Sequence, residues 1–246
     1  MPQDLSVSAQ RIQQQVLGYS VQGRPIHLWQ LTQGIPSVLL VAGVHGNEVE
    51  GYDLIERYVR SGLWGSLAGR ATVWVIPRLN PDGCAVGQRL NANGVDLNRN
   101  MPTQDWIPNP LEARYPPGSA PGSEPETQAL LACLEHIQPQ FILSAHSCEN
   151  HPCVNYNGPA LELARVMAAH NGLPVTDDIG YPTPGSLGTW AGWERGIPTL
   201  TLELLRGAPL NQVWQEQVQA LQALLEYLSV ADRGSTPTIN KMGQET

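Results

Sequence analysis

The chain has 246 residues, and 14 lysines and arginines against 22 aspartates and glutamates give a formal charge of −8 and a pI near 5.2. A single hydrophobic core can still grow at this length, so one domain is expected. Because the balance is acidic and the sequence has no basic run, nucleic acid and anionic membranes are poor candidate partners.

The N-terminus and the cysteines indicate a compartment. Residues 1–20 include an early aspartate and no apolar stretch of signal-peptide length, and no later segment is long and apolar enough to span a membrane. A cytoplasmic protein is therefore expected. In that compartment Cys84, Cys133, Cys148 and Cys153 are expected to be free thiols and not a disulfide framework.

Strands and helices are predicted to alternate along the chain. Apolar runs rich in β-branched residues indicate strands, and apolar residues at steps of three and four indicate helices. The predicted strands are 38–44, 71–77, 141–146 and 199–205, and the predicted helices are 48–62, 125–137, 159–170 and about 211–229. This alternation predicts an α/β fold with helices on both faces of a largely parallel or mixed sheet. We expect one domain over residues 1–230 and a flexible polar tail over 231–246.

Two local motifs refine these elements. Asn80-Pro81-Asp82-Gly83 predicts a turn, since proline presets one backbone dihedral and glycine tolerates a positive one. Ser123 and Glu126 have the spacing of a capping box at the start of the helix 125–137.

One histidine follows a predicted strand and another ends one, at the sheet edge where ligands of α/β proteins usually bind. Each histidine begins an H-x-x-E pattern, at His45 to Glu48 and at His146 to Glu149. His45 and Glu48 stand at a strand-to-helix junction with two small or polar residues between them, so one turn could aim both at a metal. A helix-capping turn beside an unrelated buried histidine is the alternative interpretation of the same spacing.

His146 is a candidate third ligand, contributed by a different strand end. Three protein ligands that leave a fourth position open are typical of a catalytic zinc, whereas a structural zinc has four. A competing structural site would use His146, Cys148, His151 and Cys153, but that segment has no second pair of closely spaced cysteines elsewhere to complete it.

Arginines and a glutamate add candidates for substrate binding and proton transfer. Arg89 and Arg99, in a loop rich in glycine and asparagine, have planar guanidinium groups that suit carboxylate recognition, although solvated surface arginines are an alternative. Glu203 interrupts the apolar run 199–205, where an unpaired carboxylate is costly. It must be paired, be protonated or face a cavity, and in a cavity it could act as a general base.

These motifs together resemble the zinc carboxypeptidase family of the carboxypeptidase A type. The resemblance covers roughly residues 20 to 229 and includes HGNE at 45–48, NPDG at 80–83 and GVDLNRN at 94–100. Tyr181 precedes Glu203 by 203 − 181 = 22 residues, the separation of the mobile tyrosine and catalytic glutamate of that family. The resemblance implies a three-layer α/β/α sandwich around a mixed, mostly parallel eight-stranded sheet.

The resemblance also implies a role for each matching residue. His45, Glu48 and His146 would bind one zinc ion, and Glu203 would be the general base. The other four candidates would handle the substrate.

Arg89 would polarise the scissile carbonyl, and Asn98 with Arg99 would hold the free carboxylate of the departing residue. Tyr181 would close over the bound substrate. The partner implied is a small peptide with a free carboxylate, and nothing in the pattern specifies an oligomeric state.

Within the family, three segments most resemble bacterial murein peptide amidases: residues 81–100, 121–130 and 180–190. Such enzymes hydrolyse the γ-D-glutamyl to meso-diaminopimelate bond during cell-wall recycling. Two departures stand out. Ser147 follows His146 where those amidases carry an aspartate, and Gly188 falls where carboxypeptidases specific for basic residues carry an acid, which disfavours such specificity.

Two other functions compete with this interpretation. An N-acyl amino acid deacylase of the aspartoacylase or succinylglutamate desuccinylase type shares the HGNE and DLNR elements, but Tyr181 and its spacing to Glu203 favour a peptidase. A catalytically inactive relative that binds peptidoglycan fragments is less favoured, because every candidate ligand and the candidate base are present.

Overall fold

The computed structural model describes residues 11–231. The tail expected at 231–246 lies, beyond Ala231, outside the described residues. Eight strands form one sheet: β1 (Gln13–Tyr19), β2 (Pro25–Gln30), β3 (Ser37–Ala42), β4 (Thr72–Ile76), β5 (Phe141–Cys148), β6 (Cys153–Asn157), β7 (Val175–Thr176) and β8 (Thr199–Leu205). The α-helices are α1 (Val49–Ser61), α2 (Pro81–Val86), α3 (Pro125–Ile137), α4 (Leu161–Asn171) and α5 (Leu210–Ala231).

The sheet is mixed, with the strand order β1-β2-β4-β3-β5-β8-β6-β7. Its centre, β4-β3-β5-β8, is parallel, and β6 joins β8 in the antiparallel direction. The carboxyl ends of β3, β5 and β8 therefore meet at one edge. Both candidate histidines and Glu203 lie at that edge, as expected for an α/β ligand site.

Two hydrophobic cores cover the faces of the sheet. One contains buried side chains of α1, α4 and α5, and the other contains those of α3 together with the segment 187–191. Helices on both faces confirm the expected three-layer architecture. Within residues 11–231, no helix combines the length and apolar character needed to cross a membrane.

The predicted elements correspond closely to β3, β4, β5, β8, α1, α3, α4 and α5. The turn prediction for NPDG was incomplete, because Pro81 begins the short helix α2 and the Asn80 side chain caps it by accepting from Gly83 N at 2.8 Å. The capping box was wrong. Glu124 is the N-cap residue of α3, and the Glu126 carboxylate accepts from Val21 N and from Asn91 instead.

Candidate active site

A short loop places the first two candidate ligands. β3 ends at Ala42, and Glu48 is the residue that precedes the first turn of α1. Gly46 lies so close to α2 that a Cβ atom there would stand 1.9 Å from the carbonyl carbon of Gly83, so only glycine fits. The loop thus turns tightly enough to bring His45 and Glu48 together.

The candidate metal ligands form one compact, buried group. Nδ1 of His45 lies 2.9 Å from Oε1 of Glu48, and Nδ1 of His146 lies 2.9 Å from Oε2 of Glu48 and 3.2 Å from Nδ1 of His45. Tetrahedral zinc with bonds of about 2.0–2.2 Å holds its ligand atoms roughly 3.3 Å apart, so the spacing fits zinc. Within the described part of the chain this is the single group of three or more such side chains, and Cys148, His151 and Cys153 form none.

Asp96 supports this group from behind. Its Oδ1 lies 2.9 Å from Nε2 of His45 and accepts from Asn98 N, and its Oδ2 accepts from Nε and Nη2 of Arg89 at 3.1 and 2.9 Å. Burial alone would raise the pKa of Asp96, but His45, Arg89 and Arg99 lower it well below the usual range of an aspartate. The Asp96 carboxylate therefore orients His45, whose other ring nitrogen, Nδ1, faces the metal position.

A pocket of about 420 Å³ opens in front of the three ligands. Glu203 lines it and stands beside His146, its direct partner in the parallel pairing of β5 and β8. Burial raises the pKa of Glu203, and the charge of Glu48 adds to that effect while His146 opposes it. The costly carboxylate in a strand thus faces a cavity, one of the alternatives that its sequence position left open.

Another part of the pocket wall suits a carboxylate. Leu187 N donates to Oδ1 of Asn98 at 3.0 Å, and this bond fixes the orientation of the Asn98 side-chain amide. Arg99 is buried, and its Nη2 has no hydrogen-bond partner among residues 11–231. A buried guanidinium nitrogen without a partner is costly, and a ligand carboxylate would satisfy it.

Aromatic side chains hold this wall in place. The rings of Tyr115 and Tyr181 are stacked, with centroids 5.9 Å apart and planes inclined by 4°. The guanidinium groups of Arg89, Arg99 and Arg114 lie 4.7–5.1 Å from the Tyr115 ring. Burial, with a contribution from Glu203, raises the pKa of Tyr181 to about 12, so its hydroxyl stays protonated at neutral pH.

All eight residues singled out from the sequence line this pocket: His45, Glu48, Arg89, Asn98, Arg99, His146, Tyr181 and Glu203. Arg89 also forms ion pairs with Glu48 and Asp96, at 3.0 and 2.9 Å. Sequence reasoning missed Asp96, Tyr115 and Arg206. The position of Asp96 inside the DLNR motif was the one signal that could have identified any of them.

Comparisons with known proteins identify relatives of this chain. The sequence profile of the zinc carboxypeptidases matches residues 6–162. Murein peptide amidase A of Escherichia coli K12 is 38% identical over 166 residues, which are 63% of this chain and 65% of that protein. The aligned part therefore spans just under two thirds of that relative.

Solved structures extend the likeness to most of the fold. The murein-tripeptide amidase of Escherichia coli O157 superposes with a TM-score of 0.73 at 30% identity, covering 89% of this chain and 93% of that one. Carboxypeptidase A of Helicoverpa armigera superposes with a TM-score of 0.75 at 16% identity, covering 91% and 70%. The second likeness concerns the fold alone.

Proposed function

The chain belongs to the zinc carboxypeptidase family, and we propose that it is a zinc-dependent hydrolase that removes the carboxy-terminal residue of a small peptide. The observation that carries the proposal is one pocket in which a buried His-Glu-His group, a strand glutamate and a partnerless arginine nitrogen face each other. Such a hydrolase needs three things: a bound metal, a general base and a group that binds the substrate carboxylate.

His45, Glu48 and His146 would hold the zinc ion. When bound, zinc supplies Lewis-acid chemistry, which makes water more acidic and polarises a carbonyl group. Glu203 takes a proton from the attacking water at its carboxylate and passes it to the departing amine. Burial favours the protonated form of this carboxylate, which suits a group that holds a proton between the two steps.

The substrate is oriented by its free carboxylate. Asn98 and Arg99 bind that group, with Arg99 contributing the buried nitrogen that lacks a partner. Tyr181, which is 40% exposed, covers the bound residue and excludes water. Arg89 stands beside the ligand group through its ion pair with Glu48, where it stabilises the negative charge that develops on the carbonyl oxygen.

We further propose that the substrate is a murein peptide and that the bond cut joins γ-D-glutamate to meso-diaminopimelate. Support comes from the relatives named murein peptide amidases and from a second pocket of about 170 Å³ that continues from Asn98, Tyr181 and Glu203. Its remaining walls are mostly polar, and they include Asn155, Asn157, Asp177, Thr189 and Thr201. Such walls suit a side chain that ends in amino and carboxylate groups.

We propose a single catalytic domain over residues 1–230 and a cytoplasmic location. The location is supported by the four cysteines, all of which are free thiols, as expected for a reducing compartment. Cleavage in the cytoplasm would fit the recycling of cell-wall fragments.

A substrate panel read by mass spectrometry tests the function. The zinc-loaded protein is incubated with L-Ala-γ-D-Glu-meso-diaminopimelate, with ordinary carboxy-terminal dipeptides and with N-succinyl and N-acetyl amino acids. Release of diaminopimelate is expected. Cleavage restricted to the acyl amino acids would favour the deacylase, and zinc binding without any cleavage would favour an inactive binding relative.

The assignment of the base has its own test in Glu203→Gln. Turnover should fall by about 10² to 10⁴ because the proton acceptor is lost, while zinc content and substrate affinity remain. Glu216→Gln, on the exposed face of α5, provides the matched control. Substantial residual turnover in Glu203→Gln would remove this residue from the role.

A further inference from the structure

Arg206 lies next to β8 and lines the main pocket, although no proposed catalytic step uses it. Its own N–H donates to Cys148 O at 2.8 Å, and the next N–H, of Gly207, donates to the Glu50 carboxylate at 2.6 Å. These bonds fix the backbone from which the guanidinium extends. The side chain is therefore placed before any ligand arrives.

One end of the guanidinium is anchored and the other is available. Nη2 donates to Oε1 of Glu48 at 3.2 Å and to Ser147 O at 2.9 Å, which uses both of its hydrogens. Nη1 makes no hydrogen bond within residues 11–231, and its nearest carboxylate is Glu149 at 3.7 Å. Glu149 is 68% exposed, so this ion pair is weak and easily displaced.

Arg206 stands apart from the wall that receives the departing residue. Its partners belong to the end of β5 and to the metal group, whereas Arg99 contacts Tyr115 and Asn98. The two arginines share no partner among the described residues. Arg206 thus contacts Glu48 of the metal group, as Arg89 does from another segment of the chain.

We propose that Arg206 binds a carboxylate carried by the acyl part of the substrate, the part that remains when the last residue departs. The inference rests on the proposed function, because a glutamyl residue linked through its γ-carboxyl group keeps a free α-carboxylate close to the bond that is cut. An ordinary peptide has an amide at that place. The N–H groups of Nη1 donate charge-assisted hydrogen bonds to this α-carboxylate, which displaces Glu149 from its ion pair with Arg206.

A purely structural role would give Arg206 one task, to hold Glu48. Removal of the guanidinium would then weaken cleavage of every substrate alike. Recognition of the acyl carboxylate predicts instead a loss that depends on the substrate. Two substrates that differ in this one group separate the two roles.

The experiment compares L-Ala-γ-D-Glu-meso-diaminopimelate with the analogue in which the glutamyl α-carboxylate is a primary amide. The unmodified enzyme should prefer the acid by about 10- to 100-fold in kcat/KM, the range of a charge-assisted hydrogen bond. Arg206→Gln should abolish this preference, mainly through a higher KM for the acid, and Arg206→Lys should retain part of it. Zinc content per chain is measured for each variant.

Arg165→Gln is the matched control, since Arg165 is exposed on α4, is paired with Glu162 at 3.5 Å and does not line the pocket. An equal loss for both substrates in Arg206→Gln, or a preference that disappears in Arg165→Gln as well, overturns the proposal. Absence of any preference in the unmodified enzyme does so as well. If the unmodified enzyme cleaves neither substrate, the proposed function itself fails, and that result is visible before any variant is made.

Discussion

At the scale of single residues, Asp96 connects two tasks that the sequence motifs presented separately. One carboxylate oxygen contacts His45 of the metal group and the backbone of Asn98, and the other oxygen binds Arg89. Asp96 is fully buried, so these bonds operate without competition from water. The metal group and the wall proposed to bind a carboxylate are therefore fixed relative to each other by one side chain.

Asp96→Asn should weaken zinc binding by about 10- to 100-fold, the usual effect of losing a carboxylate behind a histidine ligand. The amide is neutral and can accept through only one of its two ends, so it cannot bind His45 and Arg89 as the carboxylate does. Competition with a fluorescent chelator measures the affinity. Asp82→Asn, which alters a buried acid that does not line the pocket, is the control. Unchanged zinc affinity in Asp96→Asn would contradict the supporting role.

At the scale of elements, the second pocket, of about 170 Å³, depends on how β6 meets a single π-helical turn at Gly188–Trp193. A Cβ atom on Gly188 would stand 2.1 Å from Oδ1 of Asn157, and one on Gly192 would stand 2.5 Å from Cβ of Asn157. Both glycines therefore make room for one asparagine. The amide of Asn157 occupies the space into which a side chain at position 188 would point.

Gly188→Ala should destabilise the protein by about 1–3 kcal/mol, because the added methyl group overlaps the Asn157 amide. Asn157→Ala removes the three atoms nearest to the added methyl group, so the double variant should recover most of the loss. The free energy of unfolding in urea is measured for the unmodified protein, for each single variant and for the double variant. Gly65→Ala, where nothing lies within 4 Å of the new Cβ, is the control. A double variant as unstable as Gly188→Ala alone would place the clash elsewhere.

A second junction between elements depends on pH. Asp82 in α2 accepts from Ser20 Oγ at 2.8 Å, from Gln22 N at 3.0 Å and from Nη1 of Arg24 at 2.6 Å, which ties the β1–β2 turn to the helix. Burial would raise the pKa of Asp82, but these three donors outweigh it and lower the pKa below its usual value. The carboxylate therefore stabilises the fold above its unfolded-state pKa of about 3.9, and this contribution is lost as the pH falls through the folded-state pKa.

Asp82→Asn should cost about 1–2 kcal/mol at pH 7, and the difference from the unmodified protein should shrink as the pH drops below about 4. The free energy of unfolding in urea is compared at pH 7, 5 and 3.5. Glu162→Gln, on an exposed pair of α4 with Arg165 at 3.5 Å, should have little effect at any pH. A cost for Asp82→Asn that stays constant with pH would contradict the linkage.

The sequence was informative where burial dictates the residue type. Strands β3, β4, β5 and β8 are mostly buried and mostly apolar, and all four were predicted. β1, β2 and β6 were missed. β1 is largely exposed and polar, β2 has only two buried residues, and β6 mixes asparagines with apolar residues where it borders the second pocket. A two-residue strand such as β7 leaves no periodic signal at all.

In the candidate site too, short motifs identify some residues, and the fold decides the others. Spacing could not choose between two H-x-x-E copies, and the fold chooses, because Glu149 is 68% exposed and lies outside the metal group while Glu48 is buried within it. Arg206 and Tyr115 belong to no short motif. Their positions follow from the meeting of distant segments, which a single sequence does not encode locally.

At the scale of the whole molecule, the metal group joins segments that are far apart in the sequence. His45 and His146 are 101 residues apart and approach within 3.2 Å only because β3 and β5 are neighbours in the sheet. An ion bound there interacts with the folded chain and not with the separated ligands of the unfolded chain. Zinc binding is therefore coupled to the stability of the entire sheet.

Zinc should raise the free energy of unfolding by about 2.7 kcal/mol when its free concentration is 100 times the dissociation constant, and chelation should remove this increment. Urea unfolding in buffered zinc and in a chelator measures the difference. His146→Ala should lose the increment because one ligand is missing, whereas His170→Ala, at an exposed position of α4, should keep it. If zinc stabilised both variants equally, the ion would be bound at another place, and the central edge of the sheet would not be the metal site.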